Sequence, residues 1–129
     1  MSRKYVPHVA DAAAPVGSAL VMAAAWAFVN GVLPVDLVQP SKALAESVEE
    51  QSRQIMRNLD SLLAAQGLAR TQVVAVTVHL RQMNRFGARF EKVYAGFFEA
   101  EKAPTRSLVG VTELPREALV AMDFVVHAG

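Results

Sequence analysis

Apolar residues at Leu44, Val48, Ile55, Leu59, Leu62 and Leu63 recur at steps of three, four and seven, the period of a helix with one buried face, and predict a helix over residues 43–66. Ser41 stands where an N-cap would open it, and Gly67 where a C′ glycine would close it. Its other face carries Glu46, Glu49, Glu50, Arg53, Arg57 and Asp60, a solvated surface on which Glu49 and Glu50 can each pair with Arg53. The pattern changes from Thr71 to Leu80. Val73, Val74, Val76 and Val78 crowd a run that is apolar on both faces, as in a strand covered on each side, and His79 shares a face with Val73, Ala75 and Thr77 as a core or interface residue. After a polar loop over residues 81–85, helical spacing returns at Phe86, Phe90, Val93, Tyr94 and Phe97 and predicts a second helix packed on the sheet. Lys102-Ala103-Pro104 ends that helix, residues 106–113 read as a strand, and residues 118–127 as the last one.

The chain before residue 41 is less regular. Residues 1–16, with Pro7, Pro15 and an Ala-rich link, read as an arm. Residues 17–30 are almost wholly apolar and read as two buried strands, most plainly β at Trp26-Ala27-Phe28-Val29. Asn30-Gly31 then supplies a turn that tolerates positive φ, where a ligand can approach the main chain, and Val32-Leu33-Pro34 leads out of the sheet. The order β, β, α, β, α, β, β predicts an α+β fold, one sheet with two helices on one face, whose open face neighbouring subunits would cover.

Composition narrows the function. A chain of 129 residues fits one domain, residues 1–129, and its 53% apolar and 19% charged residues favour a homo-oligomer. Thirteen basic and twelve acidic residues are mixed along the chain for a net charge of +1, so no footprint for nucleic acid is present and no such partner is expected. With no cysteine, disulfides, a thiol nucleophile and thiolate metal sites are excluded, and the cytoplasm is the default compartment. Arg3 and Lys4 ahead of an apolar stretch resemble a secretory signal. Asp11, Pro15 and Gly17 interrupt that approach, and residues 19–29 are too short to span a bilayer, so strands are expected there and no membrane partner.

Two charged residues stand out against this apolar background. Arg106, after Pro104-Thr105 and at the mouth of an apolar strand, is held where a guanidinium can grip a small carboxylate through two parallel hydrogen bonds. Asp123 lies inside a strand whose neighbours are apolar on both faces. It either accepts bonds from backbone or an arginine, or works as an acid or base.

Pro104-Thr105-Arg106-Ser107-Leu108-Val109, then Leu114-Pro115 and the acidic Asp123, resembles the signature of the reactive intermediate deaminase family, the RidA/YjgF group. Asn30-Gly31-Val32-Leu33-Pro34 resembles that family's Ser-Gly-x-Ile-Pro turn, and the likeness runs from about Ala14 to Val126 through Asn58-Leu59, Ala65-Gln66-Gly67-Leu68 and Tyr94-Ala95-Gly96-Phe97-Phe98. The resemblance implies a chorismate-mutase-like α+β fold, a homotrimer with a central barrel, and clefts between subunits. In those clefts 2-imino or 2-enamino acids are hydrolysed to 2-keto acids and ammonia without metal or organic cofactor. It further implies that Arg106 holds the substrate carboxylate, that Gly31, beside Asn30, orients the imine nitrogen through its carbonyl, and that the Leu108 N–H fixes the carboxylate end. Asp123 would position or activate water. Asp123 replaces the family's usual glutamate, Glu91 stands near the cleft where asparagine is common, and Pro15-Val16-Gly17 is followed by Ser18-Ala19 where the family carries a tyrosine soon after its Pro-x-Gly. Besides a deaminase, the same features fit a non-catalytic trimer that binds a small carboxylate, or a relative with an altered substrate. For the ribonuclease activity sometimes attached to the family, neither a basic groove nor a histidine pair is visible.

Overall fold

The computed structural model describes residues 2–8 and 16–129. In chain order these form β1 (Arg3–Pro7), β2 (Ser18–Ala23), β3 (Trp26–Val32), α1 (Val48–Ala64), β4 (Val73–Arg81), α2 (Met83–Tyr94), β5 (Thr105–Val111) and β6 (Val120–His127). The strands make one sheet in the order β1-β2-β3-β6-β4-β5. Neighbours are antiparallel except β4 and β5, which run parallel because α2 carries the chain back across the sheet between them. Among the described residues no helix is long and apolar enough to cross a membrane.

Alternation along the strands decides where the core sits. Val29, Val76, Val78, Met122 and Phe124 point to the side that carries the helices and are buried against Ile55, Leu59 and Leu63 of α1 and Phe90 of α2. Among the described residues, no helix packs on the opposite face of the sheet. Tyr5, Trp26, Phe28 and Val109 are exposed on it, and His79 stands there between Ala121 and Val109. Among the described residues, β4 is therefore covered by helices on one side, where its apolar run predicts cover on both. A register shift between Val73 and Ala75 also moves Val73 to the buried face, away from His79.

The predicted α+β order holds, with one strand added. Residues 3–7, read as part of an arm, pair with β2 through Tyr5 and Val21, an interaction set by a distant partner and not by local pattern. Pro15 and most of the Ala-rich link lie outside the described residues. Helix α1 starts at Val48, later than its apolar period implies, because Ser47 is extended and its Oγ accepts the Glu50 N–H at 3.0 Å; Ser41 is not the cap. Gly67 ends the helix as its position predicts. At φ 72° it lets the Leu68 N–H reach the Leu63 carbonyl at 2.8 Å and its own N–H reach Ala64 at 3.0 Å. The loop expected over residues 81–85 shrinks to a reversal at Gln82 (φ 48°), after which α2 begins at Met83. Helix α2 then stops at Tyr94, short of Phe97.

Two buried polar side chains tie α1 to its surroundings. Gln51 donates to the Ala45 carbonyl at 2.8 Å and accepts the Leu119 N–H at 2.8 Å. Asn58 donates to the carbonyls of Leu33 and Val35 at 3.0 and 2.8 Å and accepts from Gln54 at 2.9 Å, pinning the segment that leaves β3. An Asn58→Leu variant strands those carbonyls and is expected to lose about 2 kcal/mol in urea denaturation. Arg53→Ala, which removes only a surface pair with Glu50, is expected to stay within about 0.5 kcal/mol of the parent.

Candidate functional site

Arg106 is the second residue of β5, an edge strand entered through Ala103-Pro104. Its register partner is Val76, whose own partner is Phe124, so Arg106 belongs to the helix side of the sheet. At the edge its long side chain clears the core and reaches α2. There Nη1 and Nη2 donate to Oε1 and Oε2 of Glu91, the second bond at 2.7 Å, in the two-pronged geometry with which guanidinium holds any carboxylate. The guanidinium carbon stands 4.8 Å from the centroid of the Tyr94 ring, within cation–π range. Glu91 and Tyr94 are three residues apart on α2 and so share a helix face.

The electrostatics follow from this contact. Hydrogen bonding to Arg106 holds the Glu91 carboxyl below the ordinary glutamate value, and the same bond pushes the Arg106 guanidinium higher still. Burial pushes the Tyr94 phenol up. Its hydroxyl is buried without a hydrogen-bond partner among the described residues. Leu108 follows on the same side of β5 and is half-buried against the core.

Asp123 lies elsewhere. Its partner in β4 is Thr77, which in turn pairs with Ser107, so Asp123 belongs to the face without helices. A bulge explains the hydrogen bond it accepts from Gly31. Between Val29 and Val32 the register of β3 against β6 shifts by one residue, which leaves Asn30 and Gly31 out of the regular ladder. Asn30-Gly31 is thus a bulge inside β3, where its composition predicts a turn out of the strand. Gly31, at φ 64°, turns its N–H onto Oδ1 of Asp123 at 2.6 Å.

The residues singled out in the sequence therefore form two groups. Arg106, Glu91 and Leu108 lie at the β5 edge beside α2; Asp123, Gly31 and Asn30 lie where β6 meets the bulge of β3. One chain does not bring Arg106 and Asp123 together, for they occupy opposite faces with β4 between their strands, a lateral gap of about 10 Å. Tyr94, read in the sequence as part of an aromatic stripe and of a segment that carries the resemblance, and not as a site residue, supports the guanidinium. Its spacing from Glu91 is the signal that could have found it. Thr77 and Ser107, in the Asp123 row, carry no such signal, because only the pairing of three strands aligns them. Among the described residues no group of three or more His, Cys, Asp or Glu side chains is placed to hold a metal ion.

Residues 8–128 match the family described as Endoribonuclease L-PSP. A RutC family protein of Pyrococcus horikoshii is 31% identical over 126 residues, which cover 96% of this chain and 98% of its own. A 2-iminobutanoate/2-iminopropanoate deaminase of Salmonella typhimurium is 33% identical over 98 residues, 74% of each chain. The crystal structure of yeast Mmf1 has a TM-score of 0.86 to this fold at 28% identity, covering 99% of this chain and 100% of that one.

The ion pair predicts a titration. In carbon-detected NMR the Glu91 carboxyl is expected to titrate below 4.5, and in an Arg106→Ala variant to return toward 4.5. Because the folded value is the lower one, the contribution of the pair to stability is present above pH 4.5 and is lost as pH falls through the folded midpoint.

Proposed function

The chain belongs to the Endoribonuclease L-PSP family, in its RidA/YjgF group, and from that premise we propose that it hydrolyses small 2-imino or 2-enamino acids to 2-keto acids and ammonia. In this reading the protein is a homotrimer and the reaction takes place in a cleft between two copies. The observation that carries it is the division of the site. Arg106 stands at one edge of the sheet, and the Asp123–Gly31 pair stands on the face without helices, so a neighbouring copy can supply the half that each copy lacks. The exposed Trp26, Phe28 and Val109 give that neighbour an apolar surface to cover. The similarity to the Salmonella deaminase supports the choice of reaction.

Each group has a chemical task. Arg106 binds the substrate carboxylate with two charge-assisted bonds and fixes the plane of the imine. The Leu108 N–H secures the carboxylate end, and the Gly31 carbonyl, presented by the bulge beside Asn30, accepts the imine N–H. Asp123 orients a water molecule toward C2 and takes its proton as the C–O bond forms. The π electrons of C=N move to nitrogen, which takes the proton that Asp123 removed from water. As the resulting carbinolamine collapses, Asp123 accepts the hydroxyl proton and hands it to the amine; the C–N bond breaks, the keto group forms, ammonia leaves and Asp123 is a carboxylate again. Imine hydrolysis has a low intrinsic barrier, so positioning and one carboxylate supply enough.

A second reading, a non-catalytic trimer that binds a small carboxylate, draws support from the prior engagement of both charged groups, Arg106 by Glu91 and Asp123 by the Gly31 N–H.

With an amino-acid oxidase generating 2-iminopropanoate, the parent protein is expected to accelerate imine loss, and Arg106→Ala, Arg106→Lys and Asp123→Ala to slow it about 100-fold. Mixing unfolded Arg106→Ala and Asp123→Ala chains and refolding them together is expected to restore part of the activity. Absence of restoration from copies that refold would overturn a site divided between two of them. Light scattering is expected to give three times the chain mass. Retained 2-oxobutanoate binding with no acceleration across several imines selects the second reading.

A further inference from the structure

Glu91 already occupies the fork that a ligand would need. Both of its carboxylate oxygens sit on the two terminal nitrogens of Arg106, the arrangement a substrate carboxylate would adopt. We propose that Glu91 is a built-in competitor for Arg106, so that a ligand carboxylate binds by exchange with Glu91 and not by capture in an open clamp. This rests on the reading of Arg106 as the carboxylate holder and adds to it the residue that sets how strongly a carboxylate must bind.

Three features decide which partner leaves. The Arg106 side chain is 26% exposed and stacked on Tyr94, whose ring is packed in turn against Phe90, Phe97 and Phe98 at centroid distances of 5.5, 5.8 and 5.8 Å. The cation is thus supported from below by a fixed platform. The Glu91 side chain is 45% exposed on the outer half of α2, and its hydrogen bonds among the described residues run to Arg106. Rotation about its own side-chain bonds carries Glu91 into water and leaves Arg106 in place. Tethered to the same chain, Glu91 also acts at a high effective concentration that no free ligand escapes.

The consequence is selective. A carboxylate with no other contact must displace an equal and finds no net gain. A ligand that also reaches groups beyond the fork gains from them what the exchange does not supply. Glu91 thereby filters for acids that carry a second recognition element, and it keeps Arg106 oriented and neutralised while the site is empty.

Titration calorimetry of the full chain at pH 7 and fixed low salt, with 2-oxobutanoate and acetate as probes, tests this. Glu91→Ala and Glu91→Gln are expected to bind 2-oxobutanoate on the order of fivefold to tenfold more tightly than the parent, and acetate binding to become measurable. Both gains are expected to vanish when Arg106→Ala is added. Equal binding by parent and Glu91 variants overturns the competition while leaving Arg106 as the holder. Weaker binding by the variants also overturns it and makes Glu91 a positioning residue. Binding by none of the proteins overturns both this inference and the function on which it rests. Glu91 lies on the helix surface, and unchanged circular dichroism of its variants separates these outcomes from misfolding.

Discussion

One register orders this molecule: Phe124 of β6 lies opposite Val29 of β3 on one side and Val76 of β4 on the other, all three in the core. A strand has period two, so with Phe124 facing the helices, Asp123 must face away from them. The same register continued through Val76 sets Arg106 on the helix side. A slip of one residue would exchange the two faces and bury a carboxylate where a phenylalanine now packs, which burial of the aromatic core forbids. The separation of the two charged residues is therefore a result of packing the core and needs no separate cause.

Each half of the candidate site is then set by a local departure from regular structure. The bulge in β3 removes Gly31 from the ladder and frees its N–H for Asp123. The position of β5 at the sheet edge gives Arg106 room to bend toward α2 and rest on Tyr94. Regular strands in the middle of the sheet offer neither possibility, because their backbone groups are consumed by neighbours and their side chains by the core.

What could be read from the sequence follows the range of the interaction. The helix period of α1 and the terminating role of Gly67 depend on residues a few positions apart and are legible. The same is true of the two helices on one sheet face and of Arg106 and Asp123 as conspicuous charges in apolar runs. Strand β1 is not legible, since Arg3-Lys4-Tyr5 becomes a strand only by pairing with β2. Nor is the bulge at Asn30-Gly31, which looks like any turn until β6 lies beside it. Charge pairing shows the same division. Glu50 meets Arg53 as i,i+3 spacing predicts, but Glu49 turns from Arg53 to Arg89 of α2, at 2.7 and 3.1 Å, joining the two helices. Ser47 in place of Ser41 as the cap of α1 reflects the path of the preceding chain and not residue type, because either serine could serve.

The one tryptophan of the chain has an unusual place. Trp26 lies on the sheet face without helices, 43% exposed, with its ring edge-on to His127 at 4.6 Å between centroids. Indole emission moves to the blue when water leaves its surroundings, so the intrinsic fluorescence of this protein is an optical gauge of a single surface. Whatever seats itself on that face would change the colour of the emitted light, and events confined to the opposite side, where Arg106 and Tyr94 meet, would leave it unaltered. The chain thus carries an optical label of its own on that face.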